Sequence, residues 1–469
     1  MKLSNYLGDR TFWRVTLTLA LPVAIQNVLT SSFQLVDTLL VAQLGDLTLS
    51  AVGMAAQWGW LSFVLIFGLC SGMSVFVSQY WGVKDRKGIR RVLGIGILSS
   101  LVFSFVFMLV ARIAPQWVLR MFNKDEAVIA AGCDYLRIVC FSYPAVALSN
   151  ILSTALRNTE RVKLPMYVSI FTTIANAIVD YGLIFGKFGL PAMGVRGAAL
   201  ATCISAWLGP VLILFFSVPE KNILTGPVRE LLAFGFDNLK LFFSRAAPVI
   251  LNEFMWALGI MVLNIIYSNQ GYEYYAGITI FRTFSDLSFA FFAGLGNACV
   301  IMVGKSIGQG KIRRGISDAR RFSVLTPLAG LVIGLVTIAL RDQLILLFAA
   351  GNSLSALTLQ TALSVTVFCS LEQIVRNIPY VQVVGVFRSG GDTLHGMLYD
   401  LGSLWLVGIP AALIAALFHA PFLVVVAAAY LGEDLPKSVL CLRRFVSMRW
   451  IMPVTAQGKE GLKKYKEET

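Results

Sequence analysis

Twelve long apolar runs constrain this chain more than any other feature of its sequence. A helix needs about 20 mostly apolar residues to cross the hydrocarbon core of a bilayer, and each run is of that length or longer. Only 14% of the residues are charged, whereas soluble domains have about 25%. The sequence therefore predicts an all-α, polytopic membrane protein with twelve transmembrane helices. The runs lie near residues 13–42, 49–80, 92–111, 127–155, 164–186, 193–218, 246–268, 276–303, 322–340, 355–384, 395–418 and 420–442.

The positions of the basic residues indicate how the chain is oriented. Most of the 39 Lys and Arg residues fall in the two tails and in alternate loops, which is the excess that cytoplasmic segments carry in multi-pass proteins. We therefore expect both termini in the cytoplasm and the protein in the inner (cytoplasmic) membrane of the cell. The basic residues that give the chain its net charge of +14 are then expected to face anionic membrane lipid. Nucleic acid is not an expected partner.

The second half of the chain repeats the first. The residues that pair between the halves are Pro22 with Pro248, Gly82 with Gly308, and Arg157 with Arg388. Six helices return the chain to its starting side, so the halves are expected to be related by a pseudo-twofold axis along the membrane normal. The predicted domains are an N-lobe (1–218), a cytoplasmic linker (219–245), a C-lobe (246–442) and a basic cytoplasmic tail (443–469).

Two carboxylates stand alone in apolar runs of the first half. Asp37 and Asp180 have no basic residue one helical turn away, and ionisable groups inside a membrane are usually functional. Counting about 1.5 Å per residue from the outer loops places Asp37, Asp180 and Thr202 at about the same depth, with Asn176 one turn below Asp180. Such oxygen ligands suit sodium, and the site could equally hold a proton. The alternative is that the carboxylates bond helix ends or backbone.

Most other charges within the runs, Glu253 excepted, have an opposite charge three or four residues away. That spacing places both groups on one helix face, so we expect these pairs to neutralise themselves. The pairs are Asp134 with Arg137, Arg282 with Asp286, and Glu372 with Arg376.

Three further residues are candidates for a substrate path, and a fourth is a candidate hinge. Gln34 and Trp58 could line a cavity, since aromatic faces attract organic cations, although a lipid-facing tryptophan would be a packing residue. Glu253 is a weaker candidate for attracting a cationic substrate, or else makes a local packing contact. Pro22 removes a backbone hydrogen bond within the first helix and is the predicted hinge.

Several chemistries are not expected. The seven cysteines are dispersed through apolar runs, which favours buried thiols over disulfides or a zinc site. The two histidines, His395 and His419, lie at opposite ends of one predicted helix. A lysine-serine pair after Val303-Gly304 resembles the end of a phosphate-binding loop, but Cys299 stands where that loop needs its first glycine. We therefore expect no cofactor, no ATP site and no enzymatic activity.

Three segments carry a resemblance to a known family. The first-helix pattern LPVAIQNVLTSSFQLVDTLLVAQLG, the segment ALRNTERVKLPMYVSIFTTIANAIVDYGLIFG and the hairpin MGVRGAALAT resemble the multidrug and toxic compound extrusion (MATE) family. The resemblance runs over nearly the whole chain and implies two six-helix lobes. It also implies proton- or sodium-driven antiport of mostly cationic, amphipathic compounds, including drugs, by a protein that we expect to be a monomer. The family's cation-site residues map onto Asp37, Asn176, Asp180 and Thr202.

The sequence departs from the family in its seventh helix. Several branches carry a glutamate about two turns after the helix-7 proline, whereas here Trp256 lies at that point and Glu253 comes earlier. Ion coupling is therefore expected in the N-lobe alone. A flippase for lipid-linked saccharides, which has the same architecture, is the alternative function. It would be expected to line its cavity with basic groups for pyrophosphate, whereas this N-lobe offers acids.

Overall fold

The computed structural model of the chain describes residues 8–122, 125–349 and 354–468, apart from the side chains of residues 33–36, 46 and 347–349. These residues are almost entirely helical. Within the described ranges, extended pairing is limited to one isolated bridge between Gly391 and Ile451. The prediction of an all-α protein is confirmed.

The first half of the chain contains six segments that match the first six predicted runs. A short 3-10 turn, Cys140–Ser142, joins two consecutive helices into one span. Asp85 caps another helix, because its carboxylate accepts a hydrogen bond from the Gly88 backbone N–H at 2.8 Å. The helices are α1 (Arg10–Ala42), α2 (Asp46–Gly82), α3 (Arg86–Ile113), α4 (Pro115–Arg120), α5 (Glu126–Val139), α6 (Tyr143–Asn158), α7 (Lys163–Phe185) and α8 (Val195–Glu220).

The second half follows the same plan with more irregular backbone. Two wide, π-helical turns, Val381–Phe387 and Leu404–Gly408, interrupt its helices. Such turns arise where an extra residue is accommodated in the helical hydrogen-bond ladder. The helices are α9 (Val228–Leu231), α10 (Phe236–Ser268), α11 (Tyr272–Gly308), α12 (Ile312–Ala339), α13 (Arg341–Ala349), α14 (Ala356–Tyr380), α15 (Arg388–Gly390), α16 (Thr393–Ser403), α17 (Ile409–Leu417), α18 (Phe422–Val446) and α19 (Ala456–Glu468).

Ten segments of the described chain are long and apolar enough to cross a membrane. The two remaining predicted runs correspond to α14 and α18, which are long enough but carry charged side chains. All twelve runs therefore coincide with helices, and the protein is a multi-pass membrane protein.

The described residues form two compact units. The first unit comprises residues 22–77 and 84–250, and the second comprises residues 8–21, 78–83 and 251–468. The core of the first unit contains the buried residues Leu119, Leu136 and Ala198. The core of the second unit is built around Tyr267 and Phe281.

Candidate cation site

Asp180 and Asp37 come together within the first unit. Asp180 is completely buried on α7, and its carboxyl group lies beside that of Asp37 on α1. Both oxygens of Asp180 and the Oδ1 atom of Asp37 are buried without a hydrogen-bond partner among the described residues. Buried polar atoms almost always have partners. Two facing carboxylates repel each other, and a bound proton or monovalent cation would remove that repulsion.

Two hydroxyl groups border the carboxyl pair. The Thr202 hydroxyl on α8 donates to the Ala198 backbone carbonyl at 3.0 Å. The Tyr135 side chain lies close to Thr202 and within electrostatic range of both aspartates. Tyr135 is 7% exposed on α5. Sequence reasoning missed this residue, although it directly follows Asp134 near the start of the fourth apolar run.

Asn176 adds an uncommitted amide group. It lies one turn before Asp180 on α7, and its Nδ2 atom is buried without a partner in the described part of the chain. Because amide nitrogen and oxygen positions are assigned from their surroundings, the same group can present its oxygen to a cation. Carboxylate, amide and hydroxyl groups thus offer oxygen ligands of the kind that hard cations prefer.

Close packing between α7 and α8 sets the position of Asp180 relative to Thr202. A side chain at Gly197 of α8 would lie 2.5 Å from the Leu183 carbonyl oxygen of α7, so only glycine permits this approach. The connecting hairpin adds a hydrogen bond from the Met193 N–H to the same carbonyl at 2.8 Å. The α7 helix ends at Gly186, which has a left-handed φ of 68°.

The predicted substrate-path residues have different surroundings. Trp58 is 8% exposed in the core of the first unit. Its Nε1–H donates to the Phe107 carbonyl at 3.1 Å, and the two rings pack with centroids 4.8 Å apart. In this conformation Trp58 is a packing residue. Gln34 lies among the side chains outside the described set. Pro22 lies inside α1, as the hinge prediction requires.

Glu253 is paired with a buried cation. Its Oε1 atom accepts a hydrogen bond from the Arg388 guanidinium at 2.6 Å, and the Arg388 side chain is 4% exposed. The pair as a whole carries no net charge, and a role of Glu253 in attracting a cationic substrate stays a prediction. In the sequence repeat Arg388 corresponds to Arg157, which donates to the Thr154 hydroxyl at 3.3 Å.

Asp134 and Arg282 bind residues on neighbouring helices. Asp134 binds Arg196 on α8 at 2.9 Å, in place of Arg137 on its own helix. Arg282 donates to the Asn264 side chain. Spacing along a helix brings groups to one face, but a partner on a neighbouring helix can approach more closely.

Potential metal ligands are dispersed among the described residues. These ranges hold no group of three or more His, Cys, Asp or Glu side chains placed to bind a metal ion.

The amino-acid sequence matches one protein family and is similar to several of its members. A family model described as MatE matches residues 22–182 and 248–414. A probable multidrug resistance protein NorM of Thermotoga maritima is 25% identical over 92% of this chain and 92% of its own length. The multidrug resistance protein MdtK of Edwardsiella ictaluri is 26% identical over 87% of this chain and 89% of its own length.

Solved structures share the fold at lower identity. The crystal structure of a MATE protein in complex with MaL6 has a TM-score of 0.82 at 17% identity and covers 99% of both chains. The eukaryotic MATE transporter AtDTX14 has a TM-score of 0.81 at 18% identity, over 97% of this chain and 99% of its own. A MOP superfamily transporter from Pyrococcus furiosus has a TM-score of 0.83 at 17% identity, over 95% and 97% of the two chains. Reverse polarity of the binding pocket suggests a different function for that protein.

Proposed function

Since the chain belongs to the MatE family, we propose that it exports amphipathic, mostly cationic organic compounds in exchange for protons or sodium ions. Its substrates would include drugs, as the names of its multidrug-resistance relatives imply. We further propose that it works as a monomer in the inner membrane, with both termini in the cytoplasm, and that the lobes 1–218 and 246–442 are the moving bodies.

The carboxyl pair is the observation that carries this proposal. Asp37 and Asp180 lie side by side, with three buried oxygen atoms that have no hydrogen-bond partner among the described residues. A pair of this kind is costly to keep charged inside a membrane. It therefore binds a proton or sodium ion readily and has no structural need to hold it permanently.

Coupling follows from the position of Asp37 on α1. Asp37 and Pro22 belong to the same helix, and a proline leaves a backbone carbonyl without its usual partner. Ion uptake changes the repulsion between Asp37 and α7, so α1 bends differently in the loaded and empty states. Each state then has its own affinity for the substrate, which is the requirement for antiport.

The acidity of the site favours an exporter of cationic compounds over the alternative function, a flippase for lipid-linked saccharides. Binding of a pyrophosphate-linked sugar calls for basic groups at the cavity, and the uncommitted buried groups of the first unit include two carboxylates. The fold alone does not decide this point, because the related transporter from Pyrococcus furiosus has a pocket of reverse polarity.

The test is efflux of a fluorescent organic cation in inverted membrane vesicles, with the pH and sodium gradients imposed separately. Asp37→Asn and Asp180→Asn should each abolish the response to whichever gradient drives the parent protein. Asp134→Asn is the matched control, because it makes the same chemical change at an exposed ion pair with Arg196. If both site variants pump like the parent, the proposed ion site is wrong.

A further inference from the structure

A second set of buried charges lies in the second unit, between α14, α16 and α18. The Lys437 ammonium group lies 2.9 Å from Asp400, 2.8 Å from Glu433 and 3.2 Å from Asp434. Asp400 also accepts a hydrogen bond from Asn252 at 2.9 Å. One cation is thus surrounded by three carboxylates, and it donates hydrogen bonds to Asp400 and Glu433.

Glu372 on α14 adds a fourth carboxylate to this cluster. It is 4% exposed, and neither of its oxygens meets a hydrogen-bond partner within the described ranges. Its carboxyl group lies beside that of Asp434, which is 2% exposed. Arg376, one turn later, forms no ion pair with Glu372 in the described structure. Its guanidinium lies over the Tyr430 ring, 5.4 Å from the centroid.

The charges of the cluster do not balance. Four carboxylates face only two cations, Arg376 and Lys437, which leaves two negative charges uncompensated. An uncompensated charge in a buried cluster is strongly unfavourable, especially where no bulk water can solvate it. The charges that border the cluster come in balanced pairs, which are Arg282 with Asp286 on α11 and Arg388 with Glu253.

A second uncommitted group points into the same region. Tyr267 on α10 is completely buried, and its hydroxyl has no hydrogen-bond partner among the described residues. The hydroxyl lies within electrostatic range of Tyr430 and Glu433, and the Arg282 guanidinium lies 5.8 Å from the ring centroid. The cluster therefore combines an orphaned hydroxyl with an orphaned carboxyl group.

We propose that Glu372 and Asp434 form a second proton-binding site, in which the two carboxyl groups share one proton. Proton uptake converts one carboxylate to a carboxylic acid, whose O–H donates to the other carboxylate. This single step removes one negative charge, gives Glu372 a hydrogen bond and requires no other reactant. The loss of the proton restores the repulsion between α14 and α18, so the site has two electrostatic states.

The surroundings of Glu372 favour a proton over a metal cation. Arg376 lies on the same helix face one turn away, and Lys437 lies beside Asp434. These fixed positive charges repel a sodium ion, whereas a proton bound covalently to an oxygen needs no further ligands. The site is also separate from the glutamate expected two turns after the helix-7 proline, since its carboxyl groups come from α14 and α18.

Infrared difference spectroscopy of the full-length protein across a pH titration tests this proposal, because protonated carboxyl groups have a separate C=O stretch. The titration is carried out in an Asp37→Asn/Asp180→Asn background, which removes the first pair from the spectrum. We expect a titrating carboxylic acid band that is lost with Glu372→Gln. It should persist with Glu126→Gln, the same change at an exposed glutamate whose side chain is 72% accessible. The measurement needs no transport, so it succeeds or fails independently of the proposed export function.

Three results would overturn the proposal. They are the absence of a titrating band in the background protein, its persistence in Glu372→Gln, and its displacement by sodium at constant pH. If Glu372→Gln does not fold, Asp434→Asn replaces it, since the shared proton predicts that loss of either carboxyl group shifts or removes the band. An unchanged band in Asp434→Asn would also contradict a shared proton.

Discussion

Gly197→Ala is the substitution that tests most sharply how α7 and α8 are held together. The new Cβ would lie 2.5 Å from the Leu183 carbonyl oxygen and 2.7 Å from its carbon. Ordinary contacts need at least 3.4 Å, so the helices must separate by about 1 Å, and overpacking of this kind costs about 1–3 kcal/mol. Alanine is favoured over glycine within a helix by about 0.5–1 kcal/mol. The net loss should be about 0.5–2 kcal/mol.

Thermal unfolding in detergent, followed by tryptophan fluorescence, measures this loss against a matched control. Gly53→Ala makes the same change within α2 of the same unit, where nothing lies within 4 Å of the added atom. The control should be as stable as the parent or more stable, because only the helix preference changes. The ion response of Gly197→Ala in vesicles should also weaken, since Asp180 moves away from Thr202. Equal unfolding midpoints for the two variants would refute the close approach.

Three further substitutions separate structural from functional roles. Glu253→Gln removes the carboxylate that binds the buried Arg388 and should cost about 3–5 kcal/mol of stability, and the double variant Glu253→Gln/Arg388→Gln should recover much of it in the same unfolding assay. Trp58→Phe loses the hydrogen bond to the Phe107 carbonyl and should lower stability by about 1–2 kcal/mol without changing the range of cations pumped. A changed range would instead make Trp58 a cavity residue. Pro22→Ala should slow exchange in vesicles while leaving substrate affinity intact, and unchanged exchange rates would remove the hinge from the coupling step.

The helices themselves could be predicted from the sequence because one physical rule dominates them. Backbone groups in hydrocarbon must be satisfied within the segment, so a long apolar run has few alternatives to a helix. A few charged residues do not change this requirement, so the sequence predicts a span at 420–442 despite its charges. It becomes α18 although it contains Glu433, Asp434 and Lys437.

The partners of the charged groups could not be predicted in the same way. Glu253 and Arg388 are far apart in sequence, and only the packed second unit brings them together. Spacing along one helix suggested Arg137 as the partner of Asp134, whereas packing supplied Arg196. Helical periodicity identifies which face a group occupies, but the neighbouring helix decides what that face meets.

The two aspartates of the first unit were accessible to sequence reasoning for a different reason. Each stands alone in an apolar run, and their depths could be estimated from the rise per residue of a helix. Tyr135 was missed because a tyrosine in an apolar run is ordinary. Its place at the site depends on Thr202 and Asp180, which lie on other helices.

The affinity for a fluorescent organic cation, measured at equilibrium against pH and against sodium concentration, tests the central claim most directly. If the ion bound by Asp37 and Asp180 drives substrate release, that ion must weaken substrate binding, because linkage between two sites is reciprocal. We predict that the affinity of the parent falls as one of the two ions increases, and that Asp37→Asn and Asp180→Asn lose this dependence. Variants that keep the full dependence of the parent would contradict the account.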